Sequence, residues 1–200
     1  MPQAAPMLLT FRPAARDDAT VLARLYRIAS DGLAEYIWRR LAGPGETPLA
    51  VGARRYAREN TDFSYRNAVL ALVDGAVAGM LTGYPVQPAV RAPDEFDFAI
   101  DDVLRPIDRL EQAESFYISA MAVFPEHRGR GIGGRLLRLA EARAREHRLS
   151  LLSLIVFEGN AGARRLYARV GFEESRRERL LPHPLLERTG GHALLLIKRI

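Results

Sequence analysis

Residues 116–134 read FYISAMAVFPEHRGRGIGG, and the residue types best suited to chemistry are concentrated there. Four glycines fall within six positions, Gly129, Gly131, Gly133 and Gly134, with Arg128 and Arg130 between or beside them. A loop with so few side chains lets a ligand approach the backbone N–H groups. Upstream, Phe116 to Val123 is an apolar run rich in aromatic and branched residues and closed by Pro125, which predicts a buried strand. From Arg135 onward the period becomes helical: Leu136, Leu137, Leu139, Ala140 and Ala144 share one side, and Arg138, Glu141, Arg143 and Arg145 the other. Strand, glycine turn and helix start together put unpaired amides and the positive end of a helix dipole into one loop. Such a loop binds an anion, above all a phosphate.

Spacing separates three phosphate-binding patterns. A nucleotide-binding P-loop, GxxxxGK[ST], needs a lysine that is missing here. The dinucleotide fingerprint GxGxxG is matched by Gly129, Gly131 and Gly134, and Glu158 follows the next strand at about the right distance. Phe124 to Arg128, however, separate its first glycine from the strand, and too little chain follows Glu158 for further βα units. The third pattern, [QR]xxGx[GA], is filled by Arg128, Gly131 and Gly133 behind a strand that ends Val-x-Pro. Downstream, Leu151 to Phe157 is a second apolar strand, followed by Asn160, Ala163, Leu166, Tyr167 and Gly171-Phe172 in the pattern N-x-x-A-x-x-L-Y-x-x-x-G-F.

In both segments the chain resembles the GNAT family of N-acetyltransferases, over Phe116 to Phe172. The resemblance implies a mixed α/β fold, with a twisted, mostly antiparallel sheet and helices on both faces. It implies that acetyl-CoA is the acyl donor, its pyrophosphate held by the amides of Gly129 to Gly134, Ile132 included, and by Arg128 or Arg130. The pantetheine arm would run along the central strand like an added strand, on backbone groups of Met121, Ala122 and Val123. Asn160 would extend that contact, and Tyr167 would protonate the departing thiolate. The reaction implied is direct transfer, in a ternary complex, to a primary amine of a small molecule or peptide. A non-catalytic acyl-CoA-binding or sensing module is the alternative from another class.

The general base stays open. The central strand, where family members often carry a glutamate, has Tyr117, Ser119 and Met121 on its alternating face, which leaves Glu111, Glu114, Asp102 and His183 as alternatives. Five acids between Asp94 and Asp102 would attract an ammonium group, or form a solvated loop. The Tyr36, Ile37, Trp38 cluster is either core or the wall of an acceptor pocket.

Stepping outward, 200 residues without a composition break suit one domain over 1–200. The absence of cysteine excludes disulfides, thiolate metal sites and a cysteinyl acyl-enzyme, and four scattered histidines form no metal constellation. The net charge of +5 comes almost entirely from arginine, Lys198 being the only lysine, and no basic stripe interleaved with aromatics points to nucleic acid. No apolar stretch is long enough for a membrane span and no signal pattern opens the chain, so a cytoplasmic protein is expected. Acyl-chain length and oligomeric state, a homodimer included, stay open.

Leu8 to Arg12 is a strand, then Asp17 or Asp18 caps a helix burying Val21, Leu22, Leu25 and Ile28. Gly32 interrupts it before a second helix, Leu33 to Leu41. After the Gly/Pro loop 42–48, a third helix spans Val51 to Asn60. Asn67 to Val73 and Ala76 to Tyr84 form a hairpin about Asp74-Gly75. A short helix over Leu104 to Glu114 feeds the central strand. An outer strand from Glu173 to Leu181 and a last strand from Ala193 to Ile200 close the sheet.

Overall fold

The computed structural model describes residues 8–86, 101–187 and 191–200. Its first strand, β1 (Leu9–Pro13), is joined to α1 (Ala19–Ala29) by a turn that Asp18 organises. The Asp18 carboxylate accepts two bonds from the Arg12 guanidinium, at 2.6 and 2.9 Å, and one from the Ala15 N–H at 2.7 Å. The guanidinium holds this carboxyl below its usual range. Leu22 and Leu25 of α1 are fully buried, with Val21 and Ile28 packed at the margin of the same core.

After α2 (Leu33–Leu41), the third helix, α3, spans Pro48–Tyr56 and not Val51 to Asn60. Proline is well placed in a first helical turn, where its missing N–H breaks no bond, and Thr47 caps that turn by accepting the Ala50 N–H at 3.2 Å. Asn60 has a left-handed φ of 57°, which ends the helical path before it. The hairpin of β2 (Ala68–Val73) and β3 (Ala76–Val86) turns as predicted on Asp74 and Gly75, at φ of 49° and 84°.

The remaining elements are α4 (Arg105–Asp108), β4 (Ser115–Val123), α5 (Ile132–Glu146), β5 (Leu151–Phe157), α6 (Ala161–Arg169), β6 (Glu173–Arg179) and β7 (His192–Arg199). α4 is a single turn and does not reach Glu114. Beyond it the chain is gripped from the side: the Arg176 guanidinium of β6 donates to the carbonyls of Arg109, Leu110 and Glu111, at 3.2, 3.4 and 2.9 Å. α5 starts at Ile132, three residues before Arg135, because Gly131 caps it.

The strands form one twisted sheet in the order β1-β2-β3-β4-β5-β7-β6, antiparallel at every junction except β4–β5. Helices α1 to α4 cover one face over Leu22, Trp38, Leu70 and Leu195, and α5 and α6 cover the other over Phe116, Leu136, Leu152 and Leu194. Leu194 and Leu195 thus serve opposite cores, which is why β7 reads as an unbroken apolar run. No described helix is long and apolar enough to cross a membrane. Among the described residues no group of His, Cys, Asp and Glu could hold a metal ion.

Trp38 is fully buried, and a Cβ on Gly52 would lie within 2.6 Å of three atoms of its ring. Glycine to alanine within a helix ordinarily gains up to about 1 kcal/mol. Here overpacking, at about 1–3 kcal/mol, outweighs that gain. Gly52→Ala should therefore lower the denaturation midpoint, and a raised midpoint would contradict the packing described.

Candidate functional site

β4 and β5 pair only at their first residues, Phe116 with Leu152, Tyr117 with Ser153 and Ile118 with Leu154. Beyond that point β4 stays with β3 as far as Val123, and β5 stays with β7 as far as Phe157. The two parallel strands therefore part, and one backbone edge of β4 from Ser119 onward has no neighbouring strand among the described residues. A β-bulge lies at the parting: Gly83 pairs with Ile118 and Thr82 with Ala120, so Ser119 is the extra residue. It reverses the faces of β4. Phe116 and Ile118 pack towards α5, whereas Ala120 and Ala122 join the core under α1.

The gap opens into a cleft of about 1250 Å³. Met121, Ala122, Val123, Arg128, Gly129, Gly131, Ile132, Gly133, Gly134, Asn160 and Tyr167 all line it. Arg130 is exposed and stands outside that wall. The loop bends because Gly129 and Gly131 take φ of 75° and 76°, and a side chain at either would project into open space. The first-turn amides of α5, which a helix cannot satisfy internally, open onto the same space. Arg128 is tied back to the strand by Nε, which donates to the Val123 carbonyl at 3.1 Å.

Tyr167 is buried against Phe172, ring centroids 5.7 Å apart, and its hydroxyl bonds to no other described residue. Burial raises the phenol to about 12, so it stays protonated across the neutral range. Asn160 reaches the cleft already engaged: Oδ1 accepts the Ala163 N–H at 3.2 Å, capping α6, and Nδ2 donates to Asp31 Oδ2 at 2.9 Å. This leaves one amide N–H for a ligand.

Of the four alternatives for a base, Glu111 alone lines the cleft. Glu114 is used in the entry to β4, its N–H donating to the Val86 carbonyl at 2.9 Å. Asp102 pairs with Arg105 at the surface. His183 packs edge-on against Tyr36 at 4.6 Å and accepts the Leu185 N–H.

Of the acidic stretch, only Asp101 and Asp102 are described. Asp94, Glu95 and Asp97 lie outside the described residues. Asp101 works as a structural cap, accepting the Tyr36 hydroxyl and the N–H groups of Val103 and Leu104, each at 3.0 Å. Neither Asp101 nor Asp102 lines the cleft, and of the Tyr36 to Trp38 cluster only Ile37 does.

A second half of the cleft is absent from the sequence reading. Tyr26, Phe63, Tyr84 and Tyr117 line it, with Arg55, Asp62 and Asp108 beside Glu111. Burial raises the Tyr84 phenol well above its usual value, reinforced by Tyr117, Asp62 and Glu111. Tyr117 is raised chiefly by burial, then by Tyr26, Glu111 and Tyr167. The sequence signals for this wall were Tyr117 on the alternating face of β4 and Glu111 among the alternatives for a base.

The model of the acetyltransferase (GNAT) family matches residues 34–172. No match was found among curated proteins. The fold is similar to that of an N-acetyltransferase from Staphylococcus aureus Mu50, at 21% identity over 94% of this chain and 100% of that one, with a TM-score of 0.67. A ribosomal-protein-alanine N-acetyltransferase from Brucella melitensis is 23% identical over 96% and 99% of the two chains, with a TM-score of 0.61. The NatC complex bound to Gag peptide and CoA gives 16% identity over 96% and 98%, with a TM-score of 0.56. At these identities the structural likeness concerns the fold. The family match spans well over half of the chain and contains the glycine loop, the strand gap and Tyr167. The chain belongs to the GNAT acetyltransferase family.

Proposed function

We propose that the protein transfers an acetyl group from acetyl-CoA to a primary amine, directly, with both substrates bound. The observation that carries this reading is the gap between β4 and β5, which ends on the glycine loop at the start of α5. An unpaired strand edge suits the amide-bearing arm of a CoA thioester, and free helix amides beside Arg128 suit its pyrophosphate. The glycine loop of the cleft carries Arg128, and the tyrosine side carries Asp62, Asp108 and Glu111 against Arg55. A polyanionic donor is thereby drawn to one end and a cationic acceptor to the other.

The residues then divide the work. An amine bound as its ammonium form first gives up a proton, and Glu111 is the carboxylate on the cleft wall that can take it, directly or through a water. The nitrogen lone pair attacks the thioester carbonyl carbon. A C–N bond forms, the C–S bond breaks, and the electron pair leaves with sulfur. The Tyr167 hydroxyl supplies the proton that sulfur takes up, the second proton lost by nitrogen restores it through solvent, and Glu111 releases the first proton to water. The products are an amide and a free thiol, and the protein is unchanged. The test is whether thiol release from acetyl-CoA depends on an added amine and matches acetylated product mole for mole.

A further inference from the structure

We propose that the tyrosine-lined half of the cleft is the acceptor site, and that it takes a primary monoamine carried on a flat apolar or aromatic body. The inference rests on the transferase reading above.

Tyr84 and Tyr117 are direct partners across the β3–β4 ladder, with rings 5.7 Å apart at 70°. Tyr26 and Phe63 meet edge-to-face at 4.9 Å on the same side of the sheet. All four rings are only partly covered and border the cleft, so they present apolar edges and faces to whatever enters. Neither the Tyr84 nor the Tyr117 hydroxyl bonds to another described residue. Two phenols side by side in a wall, each able to accept from an ammonium or donate to a carbonyl, form a polar station within an aromatic chamber. Tyr117 and Tyr167 line the same cleft, so this station and the proposed proton donor share one space.

The charges narrow the ligand further. Carboxylates Asp62, Asp108 and Glu111 border this half, so an acceptor with its own carboxylate meets repulsion. The Arg55 guanidinium lies 4.7 Å over the Phe63 ring and is buried within the same wall. An acceptor with several distant cations would bring one of them against Arg55 or against the basic glycine side. A single ammonium on an apolar body suits the phenols and the rings together, with ring faces adding attraction for the cation.

The test compares kcat/KM for 2-phenylethylamine, phenylalanine, spermidine and a short peptide with a free N-terminal alanine, at saturating acetyl-CoA. We expect 2-phenylethylamine to lead phenylalanine and spermidine by about tenfold or more, the discrimination available to a polar site that leaves buried groups mismatched. Tyr84→Phe and Tyr117→Phe should each lower kcat/KM for 2-phenylethylamine by about tenfold, the loss of one hydrogen bond in the transition state, with the acetyl-CoA KM unchanged. Preference for spermidine, phenylalanine or the peptide would overturn the inference and leave the transferase reading standing. So would tyrosine variants that match wild type. Transfer to none of the four, by a protein that still binds acetyl-CoA, would overturn this inference too, whereas the transferase reading falls only if no primary amine is acetylated.

Discussion

Turnover by Tyr167→Phe should fall about 10²-fold or more, the scale of a lost general acid. Acetyl-CoA binding should stay as it is. The substitution keeps the ring that packs on Phe172 and removes only a hydroxyl bonded to no other described residue, so the folded protein loses no partner. Burial alone holds the phenol near 12, and the sign of that shift matters. A raised value keeps the proton in place throughout the working range, so Tyr167 is able to donate and contributes no ionisation to the pH profile below about pH 11. A thiolate formed in the strand gap, away from bulk water, is itself made more basic by desolvation, which favours receipt of the proton. Wild-type turnover in the phenylalanine variant, measured by single-turnover kinetics so that product release is excluded, would make Tyr167 a packing residue only.

Gly131→Glu should abolish the stabilisation that acetyl-CoA gives the wild type. At a ligand concentration of 100 times Kd that stabilisation is about 2.7 kcal/mol. For a chain of this length it corresponds to roughly 5–10 °C in Tm. A side chain at Gly131 meets nothing within 4 Å, so the carboxylate enters the space offered to the pyrophosphate without displacing protein atoms. The position also carries φ of 76°, which costs an L-residue about 1–2 kcal/mol. Gly131→Ala has the same backbone strain without the charge. Both variants should start from a lower Tm than wild type, and the alanine variant alone should still respond to acetyl-CoA. An equal response in all three proteins would move the phosphate site away from this loop.

The parts of the fold and site that were legible in the sequence are those written locally. Phe116 to Val123, the glycines and the helical period after them specify strand, cradle and helix within twenty-five residues or so of chain, and Asp74-Gly75 can scarcely do other than close a hairpin. Where the sequence reading fell short, contacts between distant segments decide the outcome. Asp101 looked like one of a run of surface acids, yet the Tyr36 hydroxyl, 65 residues away, bonds to it. Asn160 reads as a ligand contact alone, and it also holds Asp31 across 129 residues with one of its two amide hydrogens. Tyr84 and Tyr117 become neighbours only through strand register, and Glu111 reaches the cleft on a segment that Arg176 of β6 holds by its carbonyls. Pattern and spacing carry no information on pairings of that kind. The parting of β4 from β5 is of the same sort, because it depends on a bulge at Ser119 in a strand that reads as regular.

The central claim is that the gap beside β4 is used for turnover and not only for binding. The direct measurement follows CoA thiol and acetylated amine together in one reaction, with acetyl-CoA and a saturating primary amine. The account predicts equal molar amounts of both products, no thiol release without the amine, and loss of both in Gly131→Glu. Saturable acetyl-CoA binding with no amide formed from any primary amine would contradict it, and would make the protein an acyl-CoA-binding module on the same fold.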